Sequence, residues 1–327
     1  MGKPSVELRE EVGVVRDICV FGGRSHPELT RATCDNLGIK VSPVSFVRYS
    51  NDNLFVRLEE SVRGKDVFVV QTCVEPVQDH LFELFMLLDA ARSASAERVT
   101  AVIPYYSYAR SDKKDEPRIS IAGRLVADLL QTAGADRVLT MTLHSPQVHG
   151  FFRMPTDHLS ALPALVEALR VCRFGEAVVV SPDIGNAKRA THLARRLNLP
   201  VAAGNKRRID DLRVEIDGIV GEITSENAIV FDDEIARGSS VIESVKLLRE
   251  RGVRRVWVAC THGVFTDRCL QRLEEMPELQ EIIATDTVPT PPERRTDKLR
   301  IASVAPLFAE AIRRIHNEES VSSLFDT

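Results

Sequence analysis

Apolar positions along this chain fall into short unbroken runs, separated by stretches in which apolar residues recur every three or four places. Residues 228–231 (AIVF) form one such run, bounded by polar residues, as a strand covered on both faces requires. Beyond a small-residue loop, Val241, Ile242, Val245 and Leu248 recur at helical spacing, while Glu243, Lys246, Arg249 and Glu250 take the opposite side. A second apolar run, within VRRVWVACTH, closes the segment. The same order begins at residue 67 with nearly the same spacing: the run 67–70, the loop QTCVEPVQDH, a helix over 81–93 and the run 99–104. Further strands are predicted over 16–21, 137–143 and 177–181, and helices over 26–37, 119–133, 158–170 and 187–197.

Strands alternating with helices predict parallel sheets flanked by helices, the α/β class, and the repeated order predicts two similar domains. The pattern is weakest across 152–158, where Pro155 and polar residues interrupt it, so the boundary is placed after residue 156. Residues 1–156 then form an N-terminal domain and 157–305 a C-terminal one. Residues 306–327 are left as a helix, ending near His316, and a tail that pack back on the N-terminal domain. Residues 286–298, with TVPTPPERR, read as an exposed Pro-rich loop.

The length of 327 residues agrees with two domains, at roughly 150 residues each. Charged residues make up 28% and apolar ones 44%, with a net charge of −4, which excludes a disordered chain and one that coats nucleic acid broadly. No apolar stretch approaches the roughly 20 residues that span a bilayer, and MGKPSVELREEVG is not a signal peptide. The expectation is a cytoplasmic protein without membrane or nucleic-acid partners. Cys19, Cys34, Cys73, Cys172, Cys260 and Cys269 form no CxxC pair and lie in or near apolar runs, so they read as reduced core thiols.

Candidate chemistry clusters where strands end. Asp232 and Asp233 follow the run 228–231, at the end of the strand where open α/β sheets bind ligands. Gly238, Ser239 and Ser240 carry little side chain, and the helix that begins there adds its positive dipole end, which together make a phosphate cradle. A phosphorylated polyol fits this pair of features; a plain turn followed by a helix cap reads the same residues without a ligand. NKRR at 205–208, with the following IDDLRVEIDG, shows no clear period and reads either as a basic clamp on phosphates or as a solvated charge run. Asp183 follows the run 177–181, and His144 follows 137–143 with His149 nearby. The segment 104–118 gathers three tyrosines, Arg110 and two lysines into a loop that can stack on a base and hold phosphates, or stand as an exposed turn. The recurrence of these clusters at strand ends favours one shared site.

Taken together, YSNDNLFVRLEESVRGKDVFVVQT, PYYSYARSDKK, QTAGADRVLTMTLHSPQVHGFF, VVVSPDIG, NKRR, VFDDEIARGSS and ESVSSLFD occur in the order and near the spacing found in ribose-phosphate diphosphokinases, the phosphoribosyl diphosphate synthetases. The chain resembles that family from about residue 16 onward. The resemblance implies two phosphoribosyltransferase-like domains and an enzyme of nucleotide biosynthesis. The reaction implied moves the β,γ-diphosphoryl group of Mg·ATP to the anomeric hydroxyl of ribose 5-phosphate, releasing AMP.

It implies catalytic roles for Lys206 and Arg208 on a mobile loop, and ATP contacts from Tyr49, Asn51, Asp52, Asn53, Arg110 and Ser111. It implies ribose 5-phosphate contacts from Arg208, Asp232, Asp233, Ala236, Arg237, Gly238, Ser239 and Ser240, with Mg2+ at His144 and Asp183. The adenine loop 49–53 is implied to serve a neighbouring subunit, in dimers that assemble into a homo-hexamer under phosphate and nucleotide effectors.

The family pattern DDxxDTxGT departs here at Ala236, Arg237, Ser239 and Ser240, and FxDGE becomes Tyr49, Ser50, Asn51, Asp52 and Asn53. Ile184 and Thr142 stand where a histidine and an aspartate are common. A regulatory paralogue that assembles with an active synthetase, and a phosphoribosyltransferase, are the alternative functions.

Overall fold

The computed structural model describes residues 17–208 and 214–325, except for the side chains of 206–208 and 214–217. The first half runs β1 (Ile18–Gly22), α1 (Pro27–Leu37), β2 (Val44–Arg48), β3 (Leu54–Leu58), β4 (Asp66–Val70), α2 (Val77–Ser93), β5 (Arg98–Ile103), α3 (Ala122–Thr132), β6 (Arg137–Met141) and β7 (Thr156–Leu159). The second runs α4 (Leu162–Arg170), β8 (Val178–Ser181), α5 (Ala187–Leu197), β9 (Val201–Arg208), β10 (Val214–Val220), β11 (Asn227–Ile235), α6 (Ser239–Glu250), β12 (Arg255–Gly263), α7 (Cys269–Glu274), β13 (Leu279–Thr285), β14 (Leu299–Ala302) and α8 (Ala305–His316).

The protein is α/β, with two largely parallel sheets. The first has the order β1-β4-β5-β6-β7 and is parallel throughout. The second has the order β10-β9-β8-β11-β12-β13-β14, with β10 alone antiparallel to its neighbour. Cover on both faces follows from strand alternation. Val67 and Val69 of β4 enter the core beneath α2 and α3, while Phe68 and Val70 enter the core beneath α1 and α8. In β11, Ala228 and Val230 pack toward α6 and α7, and Ile229 and Phe231 toward α4 and α5.

Several expectations change in the structure. The helix read over 158–170 begins at Leu162, because Thr156–Leu159 alternates half-buried and buried positions and pairs with β6 as an edge strand. A boundary after residue 156 thus falls inside β7. The strand read over 228–231 continues to Ile235, so Asp232 and Asp233 sit within its last turns of ladder rather than after it. Of the stretch from Asn205 that lacked a period, the described residues 205–208 and 214–218 lie in the antiparallel strands β9 and β10, whose register shift near Gly218 breaks the alternation on which a strand reading depends. In the segment 286–298, Thr287, Val288 and Thr290 are buried, and only 292–295 form an exposed stretch. Tyr105 and Tyr106, in the loop read either as able to stack on a base or as an exposed turn, are buried as well. Five of the six cysteines are buried and Cys172 is half-buried.

α8 returns to the first sheet, placing Phe308, Ile312 and Ile315 in the core with Val20, Leu29 and Phe68. Among the described residues, no helix is long and apolar enough to cross a membrane.

The seam between the halves is a polar ladder around His262. Its Nε2 lies 3.0 Å from the Thr142 carbonyl oxygen and its Nδ1 2.9 Å from the Thr287 hydroxyl. A neutral imidazole carrying its proton on Nε2 satisfies both. Its ring also lies 4.8 Å from that of Tyr105. Burial lowers the His262 pKa to about 4, and burial together with Arg189 lowers that of His158 to about 4.

In the unfolded chain a histidine binds its proton near pH 6.5, so between about 6.5 and 4 the unfolded state holds more protons than the folded one. The neutral histidines therefore favour the fold fully above pH 6.5, and this advantage is lost as pH falls toward 4. Lowering pH from 7 to 5 is expected to cost on the order of 1–2 kcal/mol per histidine. Urea unfolding of the wild type and His262→Asn across that range checks this: parallel pH curves for the two would refute the assignment to His262.

Candidate active site

In an open sheet, the crevice lies where successive crossovers leave in opposite directions. The second sheet reverses between β8, whose helix α5 covers one face, and β11, whose helix α6 covers the other. The first sheet reverses in the same way between β1 and β4. That first crevice is filled. The Gln71 side chain lies so close to Gly23 that a Cβ there would meet its Oε1 at 2.2 Å. Gln71 also accepts hydrogen bonds from the Ser25 N–H at 3.1 Å and hydroxyl at 2.5 Å, and donates to the fully buried Glu83 at 2.9 Å. The second crevice is open: a cavity of about 980 Å³, lined by residues of both halves.

Its floor is the loop between β11 and α6. Gly238 is the N-cap of α6, has φ +74°, and places no side chain across the helix end. The first N–H groups of a helix have no acceptor within it, so a helix end of this kind can receive an anion. From behind, the Ile235 carbonyl accepts from Phe265 N–H at 3.0 Å and the Ala236 carbonyl from Thr266 N–H at 3.1 Å. Arg237 is drawn toward Asp267, Nε to Oδ2 3.2 Å. Ala236, Arg237, Gly238, Ser239 and Ser240 all line the cavity.

Asp232 and Asp233 differ although adjacent. Asp232 is half-buried and lines the cavity. Asp233 is 2% exposed and binds inward: its Oδ2 lies 2.8 Å from His144 Nδ1 and 3.1 Å from Arg189 Nη1. Burial acts to raise its pKa, but the hydrogen bond and charge of His144, with the charge of Arg189, hold the carboxyl well below the usual range. Arg189 also donates to the Leu143 carbonyl, which ties α5 to the loop after β6.

On the remaining walls, Asp183 Oδ1 accepts the Asn186 N–H at 2.9 Å, capping the turn into α5. Arg110, from the loop after β5, reaches Glu234 at 3.3 Å. Burial raises the Glu234 pKa, with Arg110 opposing.

The cavity thus unites Arg110, His144, Asp183, Asp232 and Asp233 with residues 236–240. Tyr49, Asn51, Asp52 and Asn53 are not among its lining residues; they form the tip of the β2–β3 hairpin, where Tyr49 is 52% exposed and its ring is tilted against that of Phe55. Ser111 is also absent from the lining, and its hydroxyl accepts the Ala122 N–H at 3.0 Å at the start of α3. Asn205 lines the cavity, and the adjoining Lys206 and Arg208 have side chains outside the described residues. Sequence reasoning missed Arg189 and Glu234. Arg189 lay unmarked within a predicted helix, whereas Glu234 directly follows the acidic pair and carried a signal.

Two family models match: the N-terminal domain of ribose phosphate pyrophosphokinase over residues 18–134, and the phosphoribosyl synthetase-associated domain over 213–326. The chain is 57% identical to a Streptomyces coelicolor relative whose name carries ribose-phosphate pyrophosphokinase as a provisional assignment, over 95% of this chain and 98% of that one. It is 50% identical to the ribose-phosphate pyrophosphokinase of Deinococcus radiodurans, over 94% and 98% respectively. The crystal structure of phosphoribosylpyrophosphate synthetase from Mycobacterium smegmatis superimposes with a TM-score of 0.86 at 39% identity, covering 93% of this chain and all of that one. Agreement over nearly the full length, in sequence and in fold, makes this chain a member of the ribose-phosphate pyrophosphokinase family.

Proposed function

We propose that the protein is a ribose-phosphate diphosphokinase, which transfers the β,γ-diphosphoryl group of Mg·ATP to the anomeric hydroxyl of ribose 5-phosphate and releases AMP. The observation that carries this is the meeting, at one cavity, of the anion cradle 237–240 from the second sheet with Arg110 and His144 from the first. A sugar phosphate seated on the cradle presents its hydroxyls to Asp232, the more exposed of the adjacent acids. Asp233 orients His144 and Arg189 rather than reaching the sugar. Arg110 and His144 face the polyphosphate. Lys206 and Arg208, beside Asn205, close over the transferring group and offset the charge that builds on it.

Asp183 and His144 both line the cavity, where they would stand at the outer side of a Mg2+ that keeps waters and rides on substrate phosphates. Bound there, the ion would neutralise phosphate charge. The two units we assign are 18–161 with α8, and 162–302. The exposed hairpin tip 49–53 is assigned to the adenine of a neighbouring copy, in a homo-oligomer of dimers assembling to a hexamer, with phosphate and nucleotides as effectors.

The test is AMP release from Mg·ATP and ribose 5-phosphate by purified wild type and Lys206→Ala. The substitution is expected to lower kcat by about 10²–10³, with a much smaller change in KM for ribose 5-phosphate. Wild-type release no greater than that of the variant would sink the proposal.

A further inference from the structure

Glu234 is an acid inside the seam that none of the substrate-binding roles above uses. Its side chain is 5% exposed, yet it lines the cavity and lies 3.3 Å from Arg110 Nη2. A carboxylate so enclosed is held only where a cation meets it. That cation comes from the opposite unit, as Arg110. Glu234 is anchored in β11 between Asp233 and Ile235, so its position is fixed by the sheet. The Arg110 side chain, 44% exposed at the end of a 3-10 turn, has no such anchor.

A long arginine in such a place loses conformational freedom when it grips a ligand, and that loss weakens binding unless something has already aligned it. A guanidinium has five donors in a rigid fork. Contact with Glu234 through Nη2 sets the plane of that fork and leaves its other edges for phosphate oxygens.

We propose that Glu234 is a positioning residue that acts through Arg110, aligning its guanidinium for the polyphosphate of the nucleotide. The inference rests on the assignment of Arg110 to ATP. Arg110 holds the phosphates in the ground state and the transition state alike, so misaligning it raises KM for ATP and leaves kcat nearly unchanged.

Steady-state kinetics of wild type, Glu234→Gln, Arg110→Ala and the double variant test this, with each substrate varied separately. Glu234→Gln is expected to raise KM for ATP about tenfold and to leave KM for ribose 5-phosphate within about twofold. The double variant is expected to match Arg110→Ala within about twofold, because Glu234 has nothing left to align. Additive losses in the double variant, or equal rises in both KM values, would overturn the proposal in favour of a merely structural acid. Arg110→Ala with an unchanged KM for ATP would overturn instead the assignment of Arg110. Should Glu234→Gln fail to fold, Glu234→Met, of similar length and without charge, carries the same four-way comparison.

Discussion

An Asp233→Ala protein is expected to lose about 3 kcal/mol of stability and about a hundredfold in kcat. The stability loss follows from uncovering Arg189, whose charge would face the seam without its carboxylate. It stands at the lower end for a buried pair because Arg189 keeps its bonds to the carbonyls of Leu143 and His144. The rate loss follows from His144, whose ring is fixed by one 2.8 Å bond to Asp233 and would turn freely without it, and a misplacement of about 1 Å can cost 10²-fold. The Asp233 pKa is held below the usual carboxylate range, so its contribution is fully present above about pH 4 and is lost only as pH falls through the depressed value. Chemical denaturation and AMP release at neutral pH provide the check. A variant as stable and as fast as wild type would remove Asp233 from the role assigned to it.

The second large effect lies at Gly238. With φ +74°, an alanine there takes a left-handed backbone at about 1–2 kcal/mol, and its Cβ would stand 2.5 Å from Cys269 Sγ. Gly238→Ala is therefore expected to lower stability by about 2 kcal/mol and to raise KM for ribose 5-phosphate about tenfold as the cradle shifts. Adding Cys269→Ala relieves the collision but not the backbone strain, so the double variant should regain part of the stability. If Gly238→Ala binds ribose 5-phosphate as wild type does, the cradle lies elsewhere.

Much of this site was legible before the fold was known, for a physical reason. Strand ends and helix starts bind anions through backbone groups, and the residues that permit this, Gly238 with its small neighbours and the acids at 232 and 233, are marked by their own chemistry. Interior alternation made the core strands equally plain. What stayed hidden depends on contacts between distant segments. Arg189 looks like any cation on the polar side of α5, and only folding brings it to Leu143 and Asp233. Tyr105 and Tyr106 read as part of an exposed loop because nothing local marks them for burial, Tyr105 against Val288 and His262 of the second unit and Tyr106 within the first core. The antiparallel strands β9 and β10 escaped notice because charged residues fill them and a register shift breaks their alternation. Glu234 was visible but unused, since a third acid in a row gives no hint of the arginine it will meet.

The return of α8 to the first sheet sets an order on synthesis. Val20, Phe68 and Leu139 lie beneath Phe308 and Ile312, which are made only after the whole second unit. Growing chains fold from the N-terminal end as they emerge. A nascent first unit therefore carries an uncovered apolar face while roughly 150 more residues are added, and its core is completed last. A chain stopped before residue 305 would be left with a sticky first unit, even though every strand of both sheets had been made.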